Sequence, residues 1–124
     1  METNCLICFT SGSTGLPKGT VSTHYNLICS PLSGQFYGFT FTKEDVYLSF
    51  IPLSHIQEQV TVCLTLMYGI QLGYPRRADV VWDVTNPQTL LEDIQHLRPT
   101  FLGTYPMFYN KIYRSVILKL ADES

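Results

Sequence analysis

Between Thr10 and Gly19 the chain holds four hydroxyls (Thr10, Ser11, Ser13, Thr14), three glycines (Gly12, Gly15, Gly19) and one lysine, Lys18. Glycines let backbone N–H groups turn toward an anion with no Cβ in the way. Hydroxyls add donors around phosphate oxygens, or a neutral oxygen for magnesium, and Lys18 adds a mobile positive charge. That chemistry suits a polyphosphate. The pattern is not a Walker loop, which ends in Gly-Lys-Ser/Thr at the start of a helix. Here Pro17 precedes Lys18, Gly19 follows it, and the chain runs on into a strand. A flexible surface turn has the same composition, so composition alone leaves both readings open.

The elements that would position this loop alternate between strand and helix patterns. Cys5–Phe9 is a continuous apolar run and predicts a buried strand. A short strand is expected over Thr20–Thr23, then a helix over His24–Phe36 interrupted at Pro31. Asp45–Ile51 reads as a strand ending at Pro52. Ser54 and Gln57 have capping-box spacing for the next helix, and Gly69 stands where its C-terminal cap belongs. Ile70–Tyr74 predicts a strand. Asn86 and Pro87 then open a helix with Leu90, Leu91, Ile94 and Leu97 on one face, which must stop before Pro99. Thr100–Tyr105 predicts another strand, and a last helix starts near Pro106, carrying Tyr109, Ile112, Tyr113, Val116, Ile117 and Leu120. Such alternation implies an α/β fold, with a parallel sheet built from βαβ crossovers. Ligands of these sheets sit at the carboxyl ends of strands, which places the 10–19 loop on the functional side.

Composition narrows the class. The 124 residues carry a net charge of -2, which argues against a nucleic-acid binder or a polybasic membrane-surface protein. With 45% hydrophobic and 15% charged residues the chain is not disordered, and its polar surface is small for an isolated domain of this size. We therefore expect a piece of a larger protein. Met1-Glu-Thr-Asn4 has no basic region, so no secretory leader is expected. The four cysteines lie in apolar runs and are expected to be free and buried. Cys5 and Cys8 have the spacing of a redox or zinc pair, without a second pair to complete a zinc site. No apolar stretch is long enough for a membrane span.

The order Thr10-Ser-Gly-Ser-Thr-Gly-Leu-Pro-Lys-Gly19 closely resembles the phosphate-binding signature of AMP-forming adenylating enzymes: acyl-CoA synthetases, firefly luciferase and peptide-synthetase adenylation domains. Asp45 to Glu58, with Pro52-Leu-Ser-His55-Ile-Gln-Glu58 at its core, resembles a block of the long-chain fatty-acyl-CoA synthetases. So do Leu97 to Pro106 and Asn110 to Tyr113. Members of that family use MgATP to turn an acid into an acyl-adenylate and pyrophosphate, after which coenzyme A displaces AMP.

The resemblance implies that Thr10 contacts magnesium or phosphate. Ser11, Gly12, Ser13, Thr14, Gly15 and Lys18 would cradle the β- and γ-phosphates, with Lys18 and His55 serving the reaction itself. His55 matches a position beside the acyl and adenylate site, although a histidine at a helix start can also simply bond locally. Glu58 is expected to be an exposed first-turn carboxylate favoured by the helix dipole. Tyr105, Pro106, Phe108, Tyr109 and Tyr113 could border an acyl channel, and core packing is the preferred reading for most of them.

The family's Tyr-Gly-x-Thr-Glu block, its ribose-binding aspartate and its C-terminal catalytic lysine have no counterpart in these residues. Residues 1–124 are therefore expected to be a single partial domain, a parallel-sheet βαβ subdomain of the large N-terminal domain, inactive on its own. The implied parent is a long-chain fatty acid–CoA ligase using ATP, Mg2+ and coenzyme A, cytoplasmic or at the cytosolic face of the ER or another organelle. Medium-chain, aryl or amino-acid activation is the alternative within the superfamily. A truncated non-catalytic protein that binds nucleotide or a partner is the alternative outside it.

Overall fold

The computed structural model of the chain describes residues 3–10, 15–76, 88–106, 108–110, 113, 114 and 117. Two small sheets and three helices follow in the order β1 (Asn4–Thr10), β2 (Lys18–Thr23), α1 (His24–Phe36), β3 (Val46–Leu48), α2 (Ile56–Tyr68), β4 (Gln71–Gly73) and α3 (Gln88–Leu97). The described residues from Pro106 onward are helical as well. The fold is mixed α/β, as the alternation of patterns predicts.

β3 and β4 pair in parallel, with α2 as the crossover between them, which is the expected βαβ unit. Tyr47 pairs with Leu72 on one side and bridges Phe101 in parallel on the other, so β3 is the central strand. Alternation along β3 sends neighbouring side chains to opposite faces. Tyr47 packs with Leu64 of α2 and with Ile70, while Leu48, Phe50 and Ile51 pack with Leu90 of α3 and Phe108. α2 covers the Tyr47 face, and α3 together with Phe108 covers the other.

The first sheet departs from expectation. Among the described residues β1 pairs with β2 alone, and antiparallel, from Asn4↔Thr23 to Thr10↔Lys18. The 10–19 loop is therefore the turn of a hairpin and does not lead from a parallel strand into a crossover. Nor is β1 buried on both faces: Cys8 is buried, but Ile7 and Phe9 are 60% and 72% exposed. A single antiparallel partner covers an edge rather than a face, and α2 meets the strand at Cys8, with Gln59 Nε2 4.0 Å from its sulfur. Cys5 is exposed and Cys29 and Cys63 are half-buried, so burial of all four thiols does not hold.

Other boundaries move for local reasons. Pro31 lies inside α1 without ending it, so one lost backbone bond is tolerated in a helix whose Pro31 is itself buried. That helix starts instead on a capping box that pattern reading missed. The Asn26 amide donates to Thr23 Oγ1 at 3.2 Å and the Thr23 amide donates to Asn26 Oδ1 at 3.0 Å. The expected box at Ser54 and Gln57 is absent, since α2 has His55 as N-cap with no side-chain cap bond. Gly69 does cap α2, at φ 66°. Strand Asp45–Ile51 shrinks to β3, and Thr100–Tyr105 contributes one bridge at Phe101 rather than a strand. α3 stops at Leu97, before Pro99 as required. Asn86, Pro87, Ile112, Val116 and Leu120 lie outside the described residues.

Two polar clasps tie the β3–β4 sheet to neighbouring segments. Thr100 Oγ1 donates to Asp45 Oδ1 at 2.7 Å and accepts from the Val46 amide at 3.1 Å. Arg76, just past β4, reaches α3: its Nη2 bonds Glu92 at 2.9 Å, and its backbone amide donates to the buried Asp93 at 3.1 Å.

Candidate functional site

The hairpin delivers Thr10 and Lys18 to the same place. They are the last pair of the ladder, and Thr10 Oγ1 donates to the Lys18 carbonyl at 3.4 Å. Both are exposed, which leaves the ammonium group open to a ligand. Gly15 adopts φ 95°, a region that L side chains avoid, and among the described residues no atom beyond its chain neighbours lies within 4 Å of where its Cβ would stand. Open backbone thus sits between a hydroxyl and an ammonium. Ser11, Gly12, Ser13 and Thr14 lie outside the described residues.

His55 belongs to a different element. It is the N-cap of α2, exposed, with its ring 6.2 Å from that of Tyr105 at 29°. Tyr105 in turn packs against Phe108, whose ring is 4.7 Å from that of Phe50. Of the residues named for an acyl channel, Phe108 is core and Tyr105 half-buried against it. Pro106, Tyr109 and Tyr113 are exposed, so core packing does not describe them. α2 is the link between the two groups. Gln59 on its first turns donates to the Leu53 carbonyl at 2.6 Å while touching Cys8 of β1.

The expectation for Glu58 is overturned. Its side chain is fully buried, and the Tyr47 hydroxyl donates to its carboxylate at 2.6 Å. The Ser49 hydroxyl donates to the other carboxylate oxygen. A buried carboxylate needs such donors, because leaving it unpaired costs several kcal/mol. Burial, and then Glu58, hold the Tyr47 phenol well above its ordinary range, so it remains a donor at every physiological pH. A signal for this was present in the sequence: Tyr47 and Ser49 are two apart in an extended run, which puts their side chains on one side, and Glu58 follows in the first turn of the next helix.

The cysteines offer no comparable site. On β1 Cys5 is exposed and Cys8 buried, and burial, followed by the nearby Cys5, raises the Cys63 thiol. Among the described residues no group of three His, Cys, Asp or Glu is placed to hold a metal, and no helix is long and apolar enough to cross a membrane.

Comparison with known proteins adds relatives to this geometry. The family model described as AMP-binding enzyme matches residues 1–124. The chain is 40% identical over 111 residues to long chain acyl-CoA synthetase 6, peroxisomal, of Arabidopsis thaliana, covering 90% of this chain and 15% of that protein. It is 32% identical over 111 residues to long-chain-fatty-acid–CoA ligase 1 of Cavia porcellus, covering 87% and 15%. Its fold matches the solved structure of McyG A-PCP complexed with phenylalanyl-adenylate, with a TM-score of 0.75 and 26% identity, over 98% of this chain and 18% of that one. The chain spans about 15% of the length of these curated relatives.

Proposed function

The chain belongs to the AMP-binding enzyme family, and on that premise we propose that it is the phosphate-binding segment of an AMP-forming fatty-acyl-CoA synthetase. The observation that carries the reading is the hairpin neck, where Thr10 and Lys18 pair at the end of the ladder beside Gly15, and all three are exposed. Similarity to two long-chain synthetases supports a long-chain fatty acid as substrate.

In this reading a carboxylate must approach the α-phosphorus of ATP, anion toward anion. Lys18 would offset the charge of the departing pyrophosphate, and the loop amides and hydroxyls would hold the β- and γ-phosphates in place beforehand. The groups at the neck fit a magnesium-bound triphosphate: one hydroxyl oxygen, one ammonium and the exposed backbone at Gly15. Thr10 would hold magnesium through its neutral hydroxyl. Bound magnesium would neutralise phosphate charge. His55, against Tyr105, would border the acid, and the coenzyme A thiolate would then displace AMP. The location proposed with this role is cytoplasmic, or the cytosolic face of an organelle for a membrane-associated parent.

Acid-dependent exchange of pyrophosphate into ATP by the full-length protein tests the assignment. Palmitate should support exchange better than octanoate, benzoate or phenylalanine. A preference for phenylalanine or benzoate would move the chain to another branch of the family, and no exchange with any acid would refute the reading.

A further inference from the structure

Glu58 is a buried carboxylate with no part in the proposed chemistry. At the third position of a helix such a residue ordinarily faces water or reaches back to the N-cap amide. Here it does neither: it turns inward and accepts from Tyr47 in β3 and from Ser49 just past its end. Its own amide donates to the His55 carbonyl at 3.1 Å, and the His55 amide donates to the Pro52 carbonyl at 2.9 Å. The connection from β3 to α2 is therefore closed at both ends by one residue, and His55 lies inside the closed segment.

We propose that Glu58 is a positioning residue: with Tyr47 and Ser49 it latches the first turn of α2 onto β3 and so sets where the His55 ring stands against Tyr105. A carboxylate suits the task because two hydroxyls directed at its two oxygens fix rotation as well as distance, which apolar packing does not. The surroundings agree. Tyr47 is held flat against Phe101, with ring centroids 5.1 Å apart at 17°, so its hydroxyl cannot swing away cheaply. A Cβ on Gly103 would stand 3.4 Å from that hydroxyl, which leaves the latch little free space. The inference rests on the proposed role of His55 beside the acid, but its test does not depend on that role alone.

In the full-length enzyme, Tyr47→Phe with Ser49→Ala removes both donors and keeps the ring stack. We expect kcat of acid-dependent pyrophosphate exchange to fall about tenfold or more, with KM for ATP within about twofold. His55→Ala should cause a similar loss, and adding it to the double variant should cost little more. Losses that multiply, or an unchanged kcat, would overturn the latch. A separate readout uses protein labelled with 13C at histidine Cε1, the His55 resonance being assigned by its disappearance in His55→Gln. That resonance should move in the single variants Tyr47→Phe and Ser49→Ala, and a fixed resonance would overturn the latch. If the wild type shows no exchange at all, the proposed function fails while the resonance still decides the latch.

Discussion

Thr10 and Lys18 face one another as the terminal pair of the β1–β2 hairpin, joined by the 3.4 Å contact from the Thr10 hydroxyl to the Lys18 carbonyl. A turn anchored this way brings the two groups together by strand register, not by packing. The neck is exposed, so its side chains can be changed with little effect on folding. Surface substitutions of that kind usually shift stability by less than about 0.5 kcal/mol.

Thr10→Val keeps the β-branched shape that suits a strand and deletes the hydroxyl. We expect the magnesium concentration for half-maximal exchange to rise several-fold, with Thr10→Ser close to wild type. An unchanged magnesium dependence in Thr10→Val would remove Thr10 from the metal site.

Gly73 ends β4 against α3, and a Cβ there would fall 2.5 Å from Leu97 Cδ2 and 3.3 Å from its Cγ. Gly73→Ala should destabilise the fold by about 1–3 kcal/mol, the usual cost of overpacking. Leu97→Val in that background should recover part of the loss. Urea unfolding measures both, and equal midpoints for wild type and Gly73→Ala would show that the contact is relaxed.

Asp45 titrates below its ordinary value because Thr100 Oγ1 donates to it at 2.7 Å and the Thr42 amide donates at 2.8 Å. A carboxyl with a lowered folded pKa adds stability above its unfolded pKa of about 3.9, and that stability is lost as pH falls through the folded value. Asp45→Asn should therefore melt lower than wild type near neutral pH, with the gap closing below about pH 4. A gap independent of pH would assign the difference to shape and not to charge.

Legibility in the sequence followed locality. The 10–19 loop is contiguous, so the family resemblance could be read from residue order, and Gly69 and Pro99 stop helices through their own backbone limits. Glu58 was misread because its partners sit on β3, across a turn, and helix-position rules say nothing of tertiary donors. The hairpin was missed for a related reason. An apolar run such as Cys5–Phe9 fits a two-sided buried strand and a one-sided hairpin strand equally well, and only its partner β2 decides between them. Ser54 and Gln57 had the right spacing for a cap, yet the chain enters the helix one residue later, at His55. Thr100–Tyr105 looks strand-like by composition, but it meets β3 only at its start, through the Thr100 amide on the Val46 carbonyl and the Phe101 bridge.

The most direct measurement is pyrophosphate exchange by Lys18→Ala in the full-length enzyme, with the acid that the wild type prefers. Lys18 is exposed at the neck, so the variant should fold normally while exchange falls about 100- to 1,000-fold, the scale for losing one preorganised charge-stabilising donor. Exchange at the wild-type rate would contradict the claim that this hairpin turn holds the phosphates.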